Sequence, residues 1–262
     1  MLFRFLIASA TLVVIGVIKK IKPPKLRDVP KFSIGGFIGI FLYMYLSKTG
    51  LLHVESGVGS FIVASVPVFT IILSRVFLKE KAGLFSWIGV AISFCGLVII
   101  TLSQTEEFTF NVGVLLLILS ALASSIYTII QRELLKIHSA LETTTYCVLA
   151  ATVVMLIYLP GLIREIPGST AGLNLTIVFL GVFPAALAYL TWAFALSGAK
   201  NTTSVTVFLY LMPFITSVLA YLWLRETLTV WALIGGMVII GGMVLTNVRG
   251  NRRKSGKEMK TE

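Results

Sequence analysis

The chain of 262 residues is 57% apolar and only 13% charged, and its mean hydropathy is +0.96. A soluble domain of this size carries about 25% charged residues, so a soluble enzyme or binding domain is excluded. The net charge of +11 comes from short basic clusters between apolar runs, whereas a nucleic-acid-binding domain spreads its basic residues over one soluble face. The composition therefore predicts a polytopic membrane protein that binds no nucleic acid.

The apolar run after Arg4 is followed by Lys19 and Lys20 instead of the small-residue cleavage site of a signal peptide. We therefore interpret it as a retained transmembrane helix. A spanning helix needs about 20 mostly apolar residues, and nine stretches qualify. They cover residues 2–18, 32–50, 57–78, 84–103, 111–131, 144–163, 173–196, 203–223 and 229–247. Because these runs lack the alternation of a membrane barrel, the predicted fold class is an all-α polytopic membrane protein.

Charge predicts the orientation of these helices. The loop 19–31 holds six basic residues, and strict alternation of the helices puts 18 basic residues on its side of the membrane and four on the other. Lys and Arg favour the cytoplasmic side. We therefore expect a multi-pass protein of the cell membrane in which this loop and the basic C-terminal tail are cytoplasmic.

The sequence also contains an internal repeat, which aligns with itself without gaps at an offset of 146. The matched positions include Tyr43 and Tyr189, Pro67 and Pro213, Glu80 and Glu226, Gly89 and Gly235, and Gly96 and Gly242. Five predicted crossings, an odd number, separate the two copies, so they must run through the membrane in opposite directions. Inverted-topology repeats are typical of secondary transporters.

The repeat divides the chain into three parts. They are an incomplete first repeat of about four helices at 1–105, a second repeat of five helices at 110–248, and a basic tail at 249–262. The offset puts the start of the first repeat about 35 residues before Met1, so one of ten helices is expected to be missing. A misassigned start, a truncated chain and a genuine nine-helix form are the alternatives.

Short motifs occur in both copies at matching positions. In the first copy they are SGVGS at 56–60, PVFT at 67–70 and LKEK at 78–81, and in the second they are TTS at 202–204, MPF at 212–214 and LRET at 224–227. These motifs resemble the EamA-type repeat of the drug/metabolite transporter superfamily. The resemblance implies a transporter with two inverted five-helix halves and cytoplasmic ends, and it implies that residues 1–8 correspond to the start of the family's second helix.

Four segments each place small, hydroxyl or aromatic residues on one helical face, because positions three and four apart stack. These residues are Gly36, Gly39, Tyr43 and Gly50; Gly113, Ser120, Ser124, Tyr127 and Gln131; Gly181, Ala185, Ala188, Trp192 and Ala195; and Thr203, Thr206, Tyr210, Pro213 and Ser217. One hypothesis is that the faces line a cavity. The other is that small residues let membrane helices pack closely.

Aromatic residues with one polar tip favour the first hypothesis, because a buried polar tip needs a partner. We therefore predict that a solute binds between the two repeats. The predicted substrate-binding residues are Tyr43, Tyr127, Trp192 and Tyr210, with smaller contacts from Ser60, Ser120, Ser124 and Thr206. The matched residues Pro67 and Pro213 are predicted hinges for alternating access, with a fixed helix bend as the alternative.

Several kinds of site are not predicted. The lone aspartate, Asp28, lies in the basic loop, and the sequence holds no P-loop, HExxH motif or Ser/His constellation. Cys95 and Cys147 lie in apolar runs, which indicates neither a disulfide nor a zinc site. No catalytic residue, metal or cofactor is therefore expected, and the expected partners are a small-molecule substrate and the lipid bilayer.

The paired glycines at 89 and 96, and at 235 and 242, form either a contact within the bundle or a contact between protomers. A homodimer is thus left open. The leading hypothesis is a secondary transporter that exports small amphipathic metabolites or drug-like solutes by alternating access. The alternative is a non-transporting or truncated membrane scaffold. An intramembrane enzyme is disfavoured because the spans lack a plausible catalytic set.

Overall fold

The computed structural model of the protein describes residues 1–54, 59, 62–80, 83–102, 111–165, 168–224 and 230–250. All regular structure in these ranges is helical, which confirms the all-α fold class. The helices are α1 (Leu2–Ile18), α2 (Val29–Gly50), α3 (Val66–Phe77), α4 (Leu84–Leu102), α5 (Val112–Leu134), α6 (Ala140–Arg164), α7 (Ala171–Gly198), α8 (203–224) and α9 (Val230–Gly250).

Four of the described helices, α2, α5, α6 and α7, are long and apolar enough to cross a bilayer, with lengths of 22, 23, 25 and 28 residues. α1, α3 and the apolar parts of α4 and α9 are shorter apolar helices. Every backbone polar group must be paired inside a bilayer, and a helix achieves this within its own segment. The helices therefore agree with a membrane-embedded protein.

Two of the long helices are locally widened to π-helix, at Phe37–Leu42 in α2 and at Gly181–Leu187 in α7. Pro184 lies inside the second stretch, where a local π adjustment accommodates a residue that has no N–H to donate. The first stretch contains no proline. An offset of 146 carries 37–42 onto 183–188, so the two irregular stretches occupy matching positions in the repeat.

The structure places each of the two predicted hinge prolines shortly after a break in regular α-helix. A turn at 64–65 interrupts the predicted span, and α3 begins directly after it, so Pro67 lies in the first helical turn, where no N–H is needed. Pro213 lies within the helix Leu211–Leu219 of α8, which directly follows the 3-10 stretch Val207–Tyr210. Both prolines thus follow a local irregularity, and their action as hinges stays a prediction.

The described helices belong to two compact units. Unit 1 comprises Met1–Met44 and Ile126–Gly198, which is α1, most of α2, the end of α5, α6 and α7. Fully buried apolar side chains such as Phe5 form its core. The hydroxyl oxygens of Ser9 on α1 and Thr152 on α6 lie 2.8 Å apart and form a buried hydrogen bond, so polar side chains join these two helices.

The loop between α1 and α2 is attached to the start of α6 by hydrogen bonds. The Tyr146 hydroxyl donates to the carbonyl oxygen of Lys22 at 2.5 Å, and the Lys22 N–H donates to the Glu142 carboxylate at 3.4 Å. Nearby, His138 Nε2 lies 3.3 Å from the Asp28 carboxylate. The basic loop therefore has a defined position against unit 1.

Unit 2 comprises Tyr45–Ser125 and Ala199–Glu262, of which the described part contains α3, α4, α8, α9, the end of α2 and most of α5. Its buried apolar core includes residues of α4, α8 and α9. The Ser125 hydroxyl donates to the carbonyl oxygen of Val66 at 3.1 Å, which joins α5 to the start of α3.

Helices α4 and α9 of unit 2 meet through glycines. A Cβ atom on Gly89 would lie 2.5 Å from the carbonyl oxygen of Gly242, and one on Gly96 would lie 2.6 Å from that of Gly235. Because the residue number falls along α9 as it rises along α4, the two helices are antiparallel. These glycines contact each other within one chain, so they form a contact within the bundle and not one between protomers.

Candidate functional site

The candidate site in unit 1 is a cluster of three tyrosines on different helices: Tyr43 on α2, Tyr127 on α5 and Tyr189 on α7. Tyr127 is buried, and a Cβ atom on Gly39 would overlap its ring, so the glycine of α2 makes room for the tyrosine of α5. Tyr43 and Tyr189 are half-buried. Tyr189 packs against the buried cluster that contains Tyr127, and its phenol lies within electrostatic range of the phenols of Tyr43 and Tyr127.

Each of the two half-buried tyrosines follows a π-helical stretch. Phe37–Leu42 ends directly before Tyr43, and Gly181–Leu187 ends two residues before Tyr189. Single π-helical stretches inside α-helices occur frequently at functional sites. Here they interrupt the regular helices next to the polar cluster, in both copies of the repeat.

The amide of Gln131 extends the cluster along α5. Its Nε2 donates to the Tyr127 hydroxyl at 3.2 Å. Gln131 is fully buried, and its Oε1 has no hydrogen-bond partner in the described part of the chain. A buried acceptor without a partner costs about 1–3 kcal/mol, so a bound group that donates a hydrogen bond would relieve this cost.

Arg4 supplies a positive charge to the same cluster. Its guanidinium acts electrostatically on the phenols of Tyr43 and Tyr189, and its Nε is buried without a hydrogen-bond partner among the described residues. The first turn of α1 packs against the π-helical stretch of α7, since a Cβ atom on Gly181 would lie 2.9 Å from the Arg4 carbonyl oxygen. The cluster therefore draws on four helices of unit 1.

Trp192, the third aromatic residue of the prediction that belongs to unit 1, lies on α7 three residues beyond Tyr189 and is half-buried. Positions three apart on a helix are neighbours on its surface. The structure thus places Tyr43, Tyr127 and Trp192 in unit 1, with Trp192 on the helix that carries Tyr189. Their role as substrate-binding residues stays a prediction.

The remaining predicted contact residues that the structure describes belong to unit 2. The Ser120 hydroxyl donates to the carbonyl oxygen of Leu117 at 2.7 Å, and that of Thr206 lies 3.4 Å from carbonyl oxygens of its own helix, so both are paired locally. Ser124 is half-buried. Ser60 lies outside the described residues.

Tyr210 is fully buried in the core of unit 2, with its ring centroid 6.4 Å from that of Phe94. Its hydroxyl has no hydrogen-bond partner in the described ranges. The Tyr210 ring therefore packs in the core of unit 2. Its hydroxyl, like Oε1 of Gln131 in unit 1, is a buried polar group without a hydrogen-bond partner in the described ranges.

Three residues of the cluster are absent from the predicted substrate-binding residues. Gln131 lies on a predicted helical face, whereas Arg4 and Tyr189 do not. Arg4 lies within the predicted span 2–18, and a charged residue within an apolar span is itself a sign of function. Tyr189 was noted as the repeat partner of Tyr43 but lies off the predicted face of α7. In contrast, the stripe glycines Gly36, Gly39 and Gly181 serve close packing, because an added Cβ at each would meet backbone or side-chain atoms of another helix.

No group of three His, Cys, Asp or Glu side chains that could hold a metal ion occurs among the residues that the structure describes. The cluster consists instead of phenols, an amide and a guanidinium. These groups donate or accept hydrogen bonds and attract negative charge.

Comparisons with known proteins agree with this arrangement. The sequence pattern of the EamA-like transporter family matches residues 1–102 and 111–248. The chain is 33% identical over 252 residues to the uncharacterized transporter YdfC of Bacillus subtilis, covering 96% of this chain and 82% of that protein. It is 30% identical over 257 residues to a protein of Streptantibioticus cattleyicolor named "probable terminal-alkyne amino-acid exporter", covering 97% of this chain and 86% of that protein.

A solved crystal structure shares the fold with a TM-score of 0.78 at 17% sequence identity, covering 96% of this chain and 87% of that one. The family pattern covers nearly the whole chain. The alignments with the two named relatives also span nearly the whole chain and more than four fifths of each relative. The chain therefore belongs to the EamA-like transporter family.

Proposed function

We propose that the protein is a secondary transporter that exports small amphipathic solutes by alternating access. The observation that carries this proposal is the polar cluster of unit 1, formed by Arg4, Tyr43, Tyr127, Gln131 and Tyr189 among apolar helices. A buried polar group costs free energy unless it is paired. Unpaired donor and acceptor atoms inside an apolar unit are therefore suited to binding a solute.

The chemistry of the cluster favours an amphipathic solute over a bare ion. Tyrosine rings offer an apolar surface with one polar tip, whereas ion sites use rings of carbonyl or charged oxygen atoms. The relative from Streptantibioticus cattleyicolor is named as an amino-acid exporter. Its name supports export as the direction and a small amphipathic metabolite as the cargo.

Two inverted five-helix repeats would supply the machinery for alternating access, in which the halves rock around a site. Residues related by an internal two-fold axis contact each other only where the axis passes. Tyr43 and Tyr189, related by the offset of 146, interact in unit 1. Ser93 and Ile239 have the same offset, and the Ser93 hydroxyl donates to the Ile239 carbonyl oxygen at 3.1 Å in unit 2.

The contact between α4 and α9 supports the same symmetry. Gly89 faces Gly242 while Gly96 faces Gly235, and the offset exchanges these two contacts. An antiparallel contact with this exchange is what a two-fold axis generates between repeat-related helices. We infer that the copies are inverted and that the tyrosine pair marks the axis in unit 1.

A transport assay tests the function. Cells that produce the protein are loaded with radiolabelled propargylglycine, leucine or phenylalanine, and the loss of label is followed with time. We expect faster loss of at least one solute than from cells that produce Tyr127→Ala at the same membrane level. Equal loss of all three from both kinds of cell, and from cells without the protein, would contradict this proposal.

We further propose that the protein lies in the cell membrane with the loop 19–31 and the tail cytoplasmic, because of the charge asymmetry. Cysteines at Lys25 and Gly168, both exposed, provide a matched pair in a background of Cys95→Ser and Cys147→Ala. An impermeant thiol reagent added to intact cells should label the cysteine at 168 and leave that at 25 unlabelled. The opposite pattern would reverse the orientation.

A further inference from the structure

We propose that Arg4 binds a carboxylate group of the transported solute, and that the hydroxyls of Tyr43 and Tyr189 complete this carboxylate subsite. The inference rests on the proposed transport function and narrows it to solutes that carry a free carboxylate next to an apolar body. Amino acids and short carboxylic acids have this chemistry.

Arg4 is a cation without an acidic partner in the described part of unit 1. Three acidic side chains of unit 1 are engaged elsewhere: Asp28 lies beside His138, Glu133 bonds Lys136, and Glu142 caps its own helix. An unpaired guanidinium on an apolar helix is costly, and membrane proteins keep such residues where they bind or move a charge. The missing partner is therefore an anion.

The geometry of arginine identifies the class of anion. A guanidinium is a planar fork that binds a carboxylate or a phosphate through two parallel N–H groups. The Nε of Arg4, one possible member of that fork, is buried and unpaired among the described residues. The guanidinium carbon lies over the ring of the neighbouring Phe5, 5.7 Å from its centroid.

The neighbouring phenols suit a carboxylate. The first turn of α1 packs against the stretch of α7 that precedes Tyr189, and the guanidinium of Arg4 lies within electrostatic range of the phenols of Tyr43 and Tyr189. A hydrogen bond from an O–H group to an ionised oxygen is shorter and stronger than one to a neutral oxygen. These tyrosines come from the two repeats and are half-buried, so part of each ring stays accessible beside the charge. One guanidinium and two phenols together offer enough hydrogen-bond donors to pair both oxygen atoms of a carboxylate.

A lipid phosphate is the other source of an anion for an arginine near the end of a helix. Arginine side chains at helix ends extend towards the interface and keep the charged head in water. Arg4 is half-buried as a whole, but its Nε is buried without a partner, so this nitrogen faces the protein and not the headgroups. The anion that Arg4 binds is therefore the solute carboxylate, and the experiment below distinguishes it from a lipid phosphate.

The experiment uses the full chain in nanodiscs and measures the binding of paired probes: phenylalanine and leucine, and their carboxamides, which lack the carboxylate. For the wild type we expect the acids to bind more tightly than the amides. Arg4→Gln should weaken acid binding about tenfold or more and weaken amide binding much less, because only the acid loses a charge-assisted hydrogen bond. Arg4→Lys keeps the charge without the planar fork, so its preference for acid over amide should lie between those of the wild type and Arg4→Gln. Because it is the conservative variant, it also shows whether a loss of binding in Arg4→Gln is caused by misfolding. The control Arg164→Gln changes an exposed arginine at the end of α6 and should match the wild type.

The outcomes separate this inference from the function beneath it. If the wild type transports the acids and Arg4→Gln keeps the same preference for acid over amide, the subsite is wrong while the transporter stands. If only the amides bind, the subsite is also wrong. If neither probe class binds or is transported, the proposed function fails for this panel, and the subsite fails with it. If Arg4→Gln alters only the thermal stability, and does so only in nanodiscs with anionic lipid, Arg4 binds a lipid phosphate and the inference is overturned.

Discussion

In unit 2, helices α4 and α9 meet through glycines, whereas in unit 1 the contact between helices α1 and α6 combines apolar side chains with a pair of hydroxyl groups. Both pairs consist of helices that the offset of 146 relates to each other. In unit 2 the backbones approach so closely that a Cβ on Gly89 would lie 2.5 Å from a carbonyl oxygen of α9. In unit 1 the contact includes the 2.8 Å hydrogen bond between Ser9 and Thr152.

The two contacts differ in how far they keep the repeat symmetry. The offset maps each glycine contact of unit 2 onto another glycine contact. It maps the hydrogen bond between Ser9 and Thr152 onto Leu6 and Met155, which are apolar. Unit 2 therefore keeps a symmetric seam of small residues, while unit 1 has diverged towards polar side chains. This difference agrees with a structural role for the glycine seam and a binding role for unit 1.

The largest expected effect comes from filling the glycine seam. Gly242→Val puts a branched side chain where a Cβ already lies 2.5 Å from the Gly89 carbonyl oxygen, and overpacking of this kind costs between about 1 and 3 kcal/mol or more. We expect a large loss of thermal stability in detergent, measured by size-exclusion chromatography after heating.

The neighbouring glycine is the control for this substitution. A Cβ on Gly241 would meet nothing within 4 Å, so Gly241→Val should behave like the wild type. Equal loss of stability in Gly241→Val and Gly242→Val would show that the seam is not what holds α4 and α9 together.

The next effect concerns function in unit 1. Tyr127→Phe removes the hydroxyl that accepts the hydrogen bond from Gln131 and leaves the buried amide without this partner, at a cost of about 1–3 kcal/mol. We expect solute export to fall about tenfold while the protein reaches the membrane normally. The control Tyr158→Phe, at a position 38% exposed, should keep full export. Unchanged export in Tyr127→Phe would remove this hydroxyl from the site.

A smaller effect is expected from the hydroxyl contact of unit 1. Thr152→Val keeps the shape of the side chain and removes its hydrogen bond to Ser9. Such bonds in membrane proteins contribute about 0.6 kcal/mol on average and up to about 1.7, so the melting temperature should fall modestly. Thr176→Val is the matched control, because its hydroxyl donates only within its own helix, to Gly172 at 2.9 Å. If both variants melt together, the interhelical bond contributes nothing measurable.

The sequence predicts the helices well, because long apolar runs in a membrane protein have few alternatives to helix. The local irregularities are harder. The π-helical stretch Phe37–Leu42 contains no proline, and nothing in its composition distinguishes it from an ordinary helix. The turn before Pro67 likewise depends on packing around α3, which a single sequence does not display.

The same irregularities explain why part of the site was missed. The face predicted for α7 assumes 3.6 residues per turn throughout, but Gly181–Leu187 is π-helical, and its wider turns rotate every later residue about the helix axis. Tyr189, which lies off the predicted face, thereby reaches the neighbourhood of Arg4. Tyr43 and Tyr127 are predictable members of the candidate cluster, because each belongs to a stripe whose glycines or serines indicate a close contact between helices.

The smallest expected effect tests whether unit 2 depends on glycine contacts alone. The Glu80 carboxylate accepts hydrogen bonds from the N–H and the hydroxyl of Thr202, both at 2.9 Å, directly before α8. A negative charge at a helix N-terminus contributes about 0.3–1 kcal/mol, so Glu80→Gln should lower the melting temperature slightly, and less so in high salt. Glu133→Gln breaks an exposed ion pair with Lys136 and should change nothing measurable, because such surface pairs contribute little. If the melting temperature fell more in Glu133→Gln than in Glu80→Gln, the carboxylate of Glu80 would not be what holds α8 in place.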